Sequence, residues 1–465
     1  MKRRRFIETA LAAVMAAPRI SWGQSSRLKI VLRGGRSFVD GTWGVRDIGI
    51  DDSGKLVIAA PGSLDALEIR AVEDRVIAPG FIDILTDNTA QPERSYGIVE
   101  KFKVTDGVTT ALQMHGGSAK IADHYRVFAA KPHYVNYGVS TAVMRVRYAA
   151  ATVPERMRRV EQCLDEGALG VSHSIEYQPT PYSEVLGYAK LARKYDRPMF
   201  LHLRYSSERD ELAGVDEAIR LARESDARVH ISHLHSTGGT FHMEEALQKI
   251  REARQGGVEM TCCVYPYSFW ATYLHSTRFD TGWQQRYGLT YSDLQLVGTG
   301  ERLSATTFEK YRAQKKLVAV PEGTMPMEKT VDLALRESFC LVGSDGGIEY
   351  AANANSHPRG AGCFATAVRH GQDIGLPLEH ILDKMTTGPR GLLRPALNDR
   401  GILQTGAAAD LVVFNPATIN GAATVANPNQ VSRGVDMVWV NGTLAAQSGV
   451  AAGQAGKPVR FSPSR

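Results

Sequence analysis

The spacing of hydrophobic positions divides the chain into two kinds of region. Residues 27–78 alternate short apolar runs with Asp-Gly and Ser-Gly turn pairs, which is typical of a small antiparallel sheet. Similar apolar runs return near the end of the chain, at residues 409–414 and 437–440. We therefore predict one small β-sandwich domain that both chain ends build together, from residues 27–78 and 398–460.

Residues 79–397 form the second region, in which apolar strands alternate with amphipathic helices such as 211–226. Eight strand candidates begin near Val76, Val108, Val135, Ala168, Pro198, Arg228, Val258 and Phe339. Eight such βα units predict an α/β fold, a TIM-type (β/α)8 barrel. Residues 279–323 interrupt the alternation before the last strand, and their length indicates an inserted subdomain rather than a plain loop.

Residues 1–23 have the layout of an export signal. A basic run from Lys2 to Arg5 precedes Phe6-Ile7, an apolar stretch and small residues near Gly23. This order resembles the twin-arginine signal, so a periplasmic or secreted protein is predicted. The alternative is a basic, disordered start that later packs as a helix. No other apolar run approaches the length of a membrane helix, so we expect no stable membrane insertion.

The formal net charge of +6 at first suggests a nucleic acid or an acidic membrane as the partner. Residues 1–23 hold five basic residues and one acidic residue, and without them the charge falls to +2. We therefore expect no nucleic-acid partner. The composition, 43% hydrophobic and 22% charged, is that of a globular protein and excludes a disordered chain or a fibre.

The five cysteines are widely spread and include no C-x-x-C pair, which favours reduced thiols over a disulfide framework. Cys262 and Cys263 are neighbours in a strand-like run and therefore point to opposite faces. We expect one or both of them to be core residues.

Polar residues collect where the predicted strands end, and in such barrels the chemistry lies at the carboxyl ends of the strands. In chain order these stretches are Ile84-Leu85-Thr86-Asp87-Asn88, Met114-His115-Gly116-Gly117, His173 with Glu176, Leu201-His202-Leu203-Arg204, His230-Ile231-Ser232-His233-Leu234-His235 and Gly343-Ser344-Asp345-Gly346-Gly347. A lone histidine in an apolar strand is more often a hydrogen-bonded core residue than a ligand. Several strands that converge on one mouth can, however, supply the nitrogen and oxygen donors that zinc prefers.

Strand alternation separates the histidines of the sixth strand. His233 and His235 are two residues apart and share one face, whereas His230 has the opposite parity and is expected outside the cluster. Asp345 lies among glycines, where the backbone must approach another segment closely. A carboxylate there can take a proton from an attacking water, and the alternative is a turn-forming Asp-Gly pair.

Further motifs extend this pattern over nearly all of the chain that follows the signal. They are Ala78-Pro79-Gly80-Phe81-Ile82-Asp83, Asp106-Gly107-Val108-Thr109-Thr110, Gly167-Ala168-Leu169-Gly170-Val171-Ser172 running to Glu176-Tyr177, His202-Leu203-Arg204, Ile231-Ser232-His233-Leu234, Val264-Tyr265-Pro266-Tyr267, Gly343-Ser344-Asp345-Gly346, His357-Pro358-Arg359, Lys384-Met385-Thr386 and Ala409-Asp410-Leu411-Val412-Val413-Phe414. In this order the chain resembles the amidohydrolase superfamily, and within it the N-acyl-D-amino-acid deacylase (D-aminoacylase) family. The resemblance implies a metal-dependent (β/α)8 barrel joined to a small β domain, which normally hydrolyses N-acyl-D-amino acids.

The resemblance also implies roles for single residues. His202 and His233 match the retained zinc ligands, and Asp345 matches the residue that is both ligand and general base. Arg359 matches the arginine that holds the substrate carboxylate, a role suited to a planar bidentate donor. For Arg359 the alternative is a surface salt bridge.

Aromatic residues follow the seventh strand, and the resemblance assigns Tyr265 or Tyr267 to a tyrosine that helps to place the substrate. Phe269, Trp270 and Tyr273 follow closely, so the cluster is either a pocket wall or part of the core.

The chain departs from the family at its most recognisable motif, a His-x-His after the first strand. Leu85-Thr86-Asp87 stands there instead, and leucine cannot ligate a metal, although Asp87 could supply an oxygen. The family's cysteine on the second strand falls on Gly116, beside His115. His235 stands where lysine is frequent in the family, and is a candidate substrate-binding residue. His173 replaces a small polar residue.

We therefore expect a rearranged metal site that holds one zinc ion, or another divalent metal, rather than two. His202 and His233 form its base, and the candidates to complete it are His115, His173, His235, Asp87 and Asp345. The predicted function is hydrolysis of an amide or related C–N bond in a small carboxylate-bearing substrate. The alternatives are an isomerase, lyase or ring-opening reaction at the same site, and a metal-free pseudoenzyme that binds a carboxylate.

Overall fold

The computed structural model describes residues 28–86, 92–320, 324–348 and 355–461. The predicted export signal at 1–23 and the candidate ligand Asp87 lie outside the described residues. The strands are β1 (Leu28–Arg33), β2 (Arg36–Val39), β3 (Thr42–Val45), β4 (Asp47–Ile50), β5 (Leu56–Ala59), β6 (Ala66–Ala71), β7 (Val76–Pro79), β8 (Phe81–Asp83), β9 (Val108–Ser118), β10 (Asn136–Ala142), β11 (Val171–Ser174), β12 (Met199–His202), β13 (Val229–Ile231), β14 (Met260–Val264), β15 (Ala271–Tyr273), β16 (Gln295–Leu296), β17 (Leu317–Ala319), β18 (Cys340–Val342), β19 (Leu411–Phe414), β20 (Val435–Val440), β21 (Thr443–Gln447) and β22 (Val450–Ala451). The helices are α1 (Pro92–Thr105), α2 (Ile121–Ala129), α3 (Val143–Ala149), α4 (Val153–Asp165), α5 (Tyr182–Lys194), α6 (Glu211–Ser225), α7 (Met243–Gln255), α8 (Trp283–Tyr287), α9 (Ala305–Ala313), α10 (Val331–Arg336), α11 (Arg359–Asp373), α12 (Leu378–Asp383) and α13 (Thr387–Leu392).

Eight strands form one sheet in the order β8-β9-β10-β11-β12-β13-β14-β18, and every adjacent pair is parallel. The two ends of this order meet through a parallel bridge between Thr86 and Gly346. The sheet is therefore a nearly closed barrel, and the predicted TIM-type fold is confirmed.

The first barrel strand differs from the prediction. The strand that begins at Val76 is β7, which pairs with β19 and β2 in another sheet, and the barrel begins only at β8. The apolar run is almost continuous from Val76 to Leu85, because both strands are buried. Hydrophobic spacing therefore does not reveal that the chain passes from one sheet to the next.

Two further sheets lie against each other and use both ends of the chain. One has the order β5-β4-β1-β6, and the other has the order β22-β21-β20-β19-β7-β2-β3. Ile30 and Ile48 of the first sheet share a buried apolar cluster with Ile77, Leu411 and Trp439 of the second. Burial of these facing side chains provides the main stabilisation of the two-layer arrangement.

Side-chain alternation along the barrel strands separates an inner core from an outer one. Leu112, Phe200 and Cys263 belong to the cluster that fills the barrel, whereas Cys262 belongs to the cluster beneath the helices. The two neighbouring cysteines therefore point to opposite faces, as predicted. Helix α6 covers the outer face and ends at Ser225, and the residue that follows, Asp226, has a left-handed backbone with φ of 55°.

The interruption predicted before the last barrel strand contains a small sheet of its own. Its order is β15-β17-β16, with α8 and α9 alongside in sequence. The segment begins at β15, before the predicted start at residue 279. Among the described residues, no helix combines the length and the apolar character needed to cross a membrane.

Candidate metal centre and active site

Three histidines from separate strands meet at the carboxyl-terminal mouth of the barrel. His115 belongs to β9, His202 ends β12, and His233 follows β13. One nitrogen of each ring lies within 4.8 Å of the others, and His202 Nδ1 is 3.3 Å from His233 Nε2. The structure therefore brings together three of the residues proposed from the sequence as metal ligands.

His115 reaches this cluster because β9 is irregular. Leu112 and Met114 point into the barrel, so regular alternation would turn His115 outward. Instead, Gln113 of β9 pairs with Val139 of β10, and the next pair is Ser118 with Thr141. A longer stretch of β9 therefore lies opposite a shorter stretch of β10. A bulge of this kind re-aims a side chain, and it accounts for the position of His115.

His233 is placed by a break in strand geometry. Its φ of 35° is left-handed, and the backbone continues directly into a 3-10 turn at Leu234–Ser236. The expectation that His233 and His235 share one strand face is therefore wrong, because β13 ends at Ile231. His230 bonds to Thr261 and lies outside the histidine cluster, as expected.

A hydrogen-bond partner orients each of two histidine rings. His202 Nε2 lies 2.8 Å from Glu176 Oε2, and His233 Nδ1 lies 3.0 Å from Ser236 Oγ. The remaining nitrogens, Nδ1 of His202 and Nε2 of His233, are those that face each other. An imidazole whose outer nitrogen is held in this way presents the other nitrogen to a metal.

Burial keeps the three rings in the neutral form that metals bind. Desolvation lowers the pKa of His115 to about 4 and holds the pKa of His233 well below its usual value. The pKa of His202 is also lowered by burial, although the Glu176 carboxylate opposes the shift. Neutral imidazole is the ligand form, so the cluster is ready to coordinate.

Glu176 is itself held by an arginine that the sequence analysis did not single out. Arg278 donates from Nη2 and Nε to Glu176 Oε2, at 2.9 and 3.2 Å, and Ser206 Oγ donates to the other oxygen. Burial alone would raise the pKa of Glu176, but the Arg278 charge holds it far below its usual value. The carboxylate that contacts His202 is therefore ionised.

Asp345 follows β18 with a left-handed backbone, at φ of 48°. Its carboxylate raises the pKa of both His115 and His202, against the lowering effect of burial. Arg359 Nη2 lies 2.8 Å from Asp345 Oδ2, and Arg359 Nε donates to the Asp345 carbonyl oxygen at 2.6 Å. The sequence-predicted base and carboxylate-binding residue are thus neighbours.

A buried ion pair anchors the loop that carries Asp345. Lys103 Nζ lies 2.9 Å from Asp83 Oδ2 and 2.8 Å from Ser344 Oγ. Ser344 also donates to Asp83 from both its hydroxyl and its backbone nitrogen. These contacts connect the first and last barrel strands directly before Asp345. Sequence reasoning missed Lys103, since a lysine on a surface helix gives no sign that it is buried.

The aromatic residues after β14 form a buried wall. The Tyr265 ring lies 4.1 Å from His235 and under the Arg359 guanidinium at 4.4 Å, and Tyr267 packs on His357 at 5.3 Å. Burial lowers the pKa of His235 to about 3. Both ring nitrogens of His235 lack a hydrogen-bond partner among the described residues.

The other candidate ligands among the described residues, His173, His235 and Asp345, are not part of the three-histidine cluster. His173 bonds to Thr180 through Nε2, at 2.7 Å, and packs on Tyr188 of α5. Ser174 pairs with His202 across the strands, and alternation therefore turns His173 to the helix side; its predicted ligand role is corrected. Leu85, at the position of the missing His-x-His, is buried in the barrel core.

A cavity of about 580 Å³ opens beside the cluster. Glu176, Arg204, Ser206 and Arg278 form part of its wall. Glu176 also contacts His202, so it links the cavity wall to the cluster, although none of the three histidines lines the cavity. The size of the cavity suits a small molecule.

The chain is similar in sequence to known proteins. Residues 340–446 match the Amidohydrolase family. The chain is 31% identical to the D-aminoacylase of Alcaligenes xylosoxydans xylosoxydans, over 94% of this chain and 98% of that protein.

Solved structures show the same fold. The N-acyl-D-glutamate deacylase of Bordetella bronchiseptica, complexed with zinc and a phosphonate inhibitor, is 23% identical with a TM-score of 0.79, over 94% of this chain and 100% of that one. A D-aminoacylase with a binuclear metal centre, activated by one metal and attenuated by the second, is 22% identical with a TM-score of 0.78, over 93% of this chain and 99% of that one. The chain therefore belongs to the amidohydrolase family, with a D-aminoacylase among its relatives, and is an enzyme that acts on C–N bonds other than peptide bonds.

Proposed function

We propose that the chain hydrolyses the amide bond of N-acyl-D-amino acids, or a related C–N bond in a small carboxylate-bearing substrate, with one bound metal ion. The observation that carries this proposal is the cluster of His115, His202 and His233, whose donor nitrogens lie within 4.8 Å of one another. Asp345, which follows β18 at the same carboxyl-terminal mouth of the barrel, adds the base that such a reaction needs.

The donor set fits zinc. Three neutral imidazoles that leave further coordination positions open are typical of a catalytic zinc site. Glu176 and Ser236 occupy the outer nitrogens of His202 and His233, so the inner nitrogens are available. We propose His115, His202 and His233 as the ligands.

One ion is proposed rather than two. Leu85 offers no donor at the position of the usual His-x-His, and its side chain packs in the barrel core. The solved D-aminoacylase described above is activated by one metal, so a single ion is enough for the chemistry in that protein.

The reaction divides between the metal and the protein. When bound, the metal supplies Lewis acidity, which polarises the substrate carbonyl and makes water a better nucleophile. Asp345 accepts a proton from the attacking water and returns it to the leaving nitrogen. Arg359, 2.8 Å from the Asp345 carboxylate, orients it through a planar fork.

We propose Arg359 as the cation that attracts the substrate carboxylate. It is buried over the Tyr265 ring, next to the proposed base. His235 and Tyr267 complete the same buried wall, and they bring hydrogen-bonding groups without a further charge.

The test joins a substrate panel with one substitution. Zinc-loaded protein is assayed on N-acyl-D-amino acids, N-acyl-L-amino acids, lactams and dipeptides, and we expect turnover of the first class. Asp345→Asn keeps a residue that tolerates a left-handed backbone but removes the proton acceptor. We expect kcat to fall by about 10²- to 10⁴-fold with ligand binding retained.

Asp332→Asn is the matched control, because Asp332 also pairs with a neighbouring side chain, His370, but lies away from the cluster. Its kcat should remain near that of the wild type. Unchanged turnover in Asp345→Asn would remove the proposed base, and no hydrolysis of any substrate by zinc-loaded protein would overturn the proposed function.

Export through a twin-arginine-type signal at residues 1–23 is part of the same proposal. Sequencing the N-terminus of protein recovered from the periplasm checks it, and a retained Met1 would contradict it.

A further inference from the structure

Arg278 is a buried arginine that the reaction as described does not use. It lies in the 3-10 turn Thr277–Phe279, within the inserted segment, and its side chain is 4% exposed. Trp270 covers the guanidinium, at 4.8 Å from its ring centre. A buried guanidinium must have its charge compensated, so its partners indicate its role.

Those partners are the two groups that orient the proposed metal ligands. Arg278 Nη2 donates to Glu176 Oε2 at 2.9 Å, and also to the carbonyl oxygen of Ser236 at 3.2 Å. Glu176 contacts His202 Nε2, and the Ser236 hydroxyl contacts His233 Nδ1. The Arg278 side chain is therefore connected to His202 through Glu176 and to His233 through Ser236.

We propose that Arg278 and Glu176 are positioning residues for the metal site, through which the inserted segment sets the metal affinity of the barrel. This inference rests on the proposed function, because it takes His202 and His233 as ligands. Glu176 fixes the ring of His202, Ser236 fixes the ring of His233, and Arg278 holds both partners in place.

The physical reason lies in ring orientation. A histidine χ2 angle is broad, so an unsupported imidazole turns its nitrogen away from the metal direction at little cost. Hydrogen-bond partners of metal-bound histidines typically account for 10- to 100-fold in metal affinity. Glu176 can hold its position only if its charge is compensated, which the two donors from Arg278 achieve.

The substitutions are chosen so that the protein still folds. An alanine at either position would leave the other charge buried and unpaired. Arg278→Lys keeps the charge but loses the planar fork that reaches Glu176 and Ser236 together. Glu176→Gln keeps an oxygen that can accept from His202 but removes the ion pair with Arg278.

The experiment measures zinc affinity of the full chain by competition with a chromophoric chelator. We expect both variants to bind zinc about 10- to 100-fold more weakly than the wild type. We also expect an altered visible spectrum of the cobalt-substituted protein, which reports ligand geometry. The Tm of metal-free Arg278→Lys should stay close to that of the wild type, because this variant keeps a charge beside Glu176, and it therefore separates positioning from general destabilisation. Glu176→Gln leaves the Arg278 charge without a carboxylate, so its Tm should fall.

Glu217→Gln is the matched control. Glu217 pairs bidentately with Arg204, at 2.6 and 2.7 Å, and Arg204 lies on the wall of the same cavity. Glu217 is not part of the three-histidine cluster. Its zinc affinity should lie within about twofold of the wild-type value, since it holds no ligand.

The outcomes separate the two proposals. If wild-type protein binds zinc and both variants bind it equally well with an unchanged cobalt spectrum, the positioning role is overturned while the proposed metal site stands. Affinity that falls only in proportion to Tm, or equally in Glu217→Gln, also overturns it. If wild-type protein binds no zinc, both the proposed function and this inference fail.

Discussion

Two local irregularities place two of the three proposed ligands. His115 lies on the bulged part of β9, and His233 has a left-handed backbone at the point where β13 has ended. His202 needs no such device, because it completes a regular strand on the inward face. Strained or irregular backbone is common where a side chain must be aimed at a functional site.

His173 shows the opposite case, in which a regular strand keeps a histidine out of the site. We expect His173→Phe to retain the metal content of the wild type, because the ring lies on the helix side of β11. The free energy of unfolding should fall by about 1–2 kcal/mol, since the bond from Nε2 to Thr180 is lost. Metal analysis and chemical denaturation check the two parts.

The matched variant is His115→Phe, which removes a histidine of the cluster itself. It should lose its metal. A loss of metal in His173→Phe comparable to that in His115→Phe would contradict the assignment of the ligands.

At the residue level the sequence predicted the candidates better than their arrangement. His115, His202, His233 and Asp345 are all recognisable because they follow apolar strands at the mouth of a barrel. Arg278 left no comparable signal, since it lies in the irregular inserted segment where no strand end marks it. Its importance appears only when its partners are seen in three dimensions.

At the level of elements, the loop after β18 and the start of α11 determine where Asp345 lies. A Cβ on Gly346 would come within 2.5 Å of Gly360 Cα, and a Cβ on Gly360 within 2.5 Å of the Gly347 carbonyl oxygen. Glycine is therefore required for this close approach, which the sequence predicted from the glycines around Asp345. The partner of that approach, α11, could not be predicted from local sequence.

We expect Gly346→Ala to push the loop away from α11 and to displace Asp345. A displacement of about 1 Å at a catalytic group can lower the rate by about 100-fold, so kcat should fall by about that factor. Zinc affinity should change little, because the three histidines lie on other elements. Steady-state kinetics and zinc titration give both values.

Gly391→Ala serves as the control, since a Cβ there meets nothing within 4 Å. Its kcat should equal that of the wild type. Wild-type kcat in Gly346→Ala would show that the close approach does not position the base.

The element order was largely predictable, apart from the boundary between β7 and β8. Strand ends, helix periodicity and the long interruption are local properties, and they were enough to predict the barrel. The assignment of the Val76 strand to the barrel failed because two buried strands in different sheets have the same hydrophobic pattern.

On the scale of the whole molecule, buried histidines link stability to pH. Burial lowers the pKa of both His173 and His230 to about 3 from 6.5. The unfolded chain therefore takes up protons below about pH 6.5 whereas the folded protein does not. Above about pH 6.5 these histidines do not reduce the free energy of unfolding. Below that pH, each such histidine lowers the free energy of unfolding by about 1.4 kcal/mol per pH unit.

Asp106 works in the opposite direction. Burial raises the pKa of Asp106 to about 7, so on acidification the folded protein takes up a proton at this carboxyl before the unfolded chain does. This uptake offsets the effect of one histidine on the pH dependence of the free energy of unfolding. His173→Phe should therefore reduce the pH dependence by about one proton relative to the wild type. Denaturation of metal-free protein at pH 7.5 and 5.5 checks this, and an identical pH dependence in the two proteins would contradict it.

The most direct measurement is the metal content of the wild type beside His115→Ala, His202→Ala and His233→Ala, after zinc loading and removal of free metal. We expect about one zinc per chain in the wild type and much less than one in each variant, because all three imidazoles are needed to hold the ion. Less than about 0.1 metal per chain in the wild type, or equal content in the variants, would contradict the three-histidine metal site.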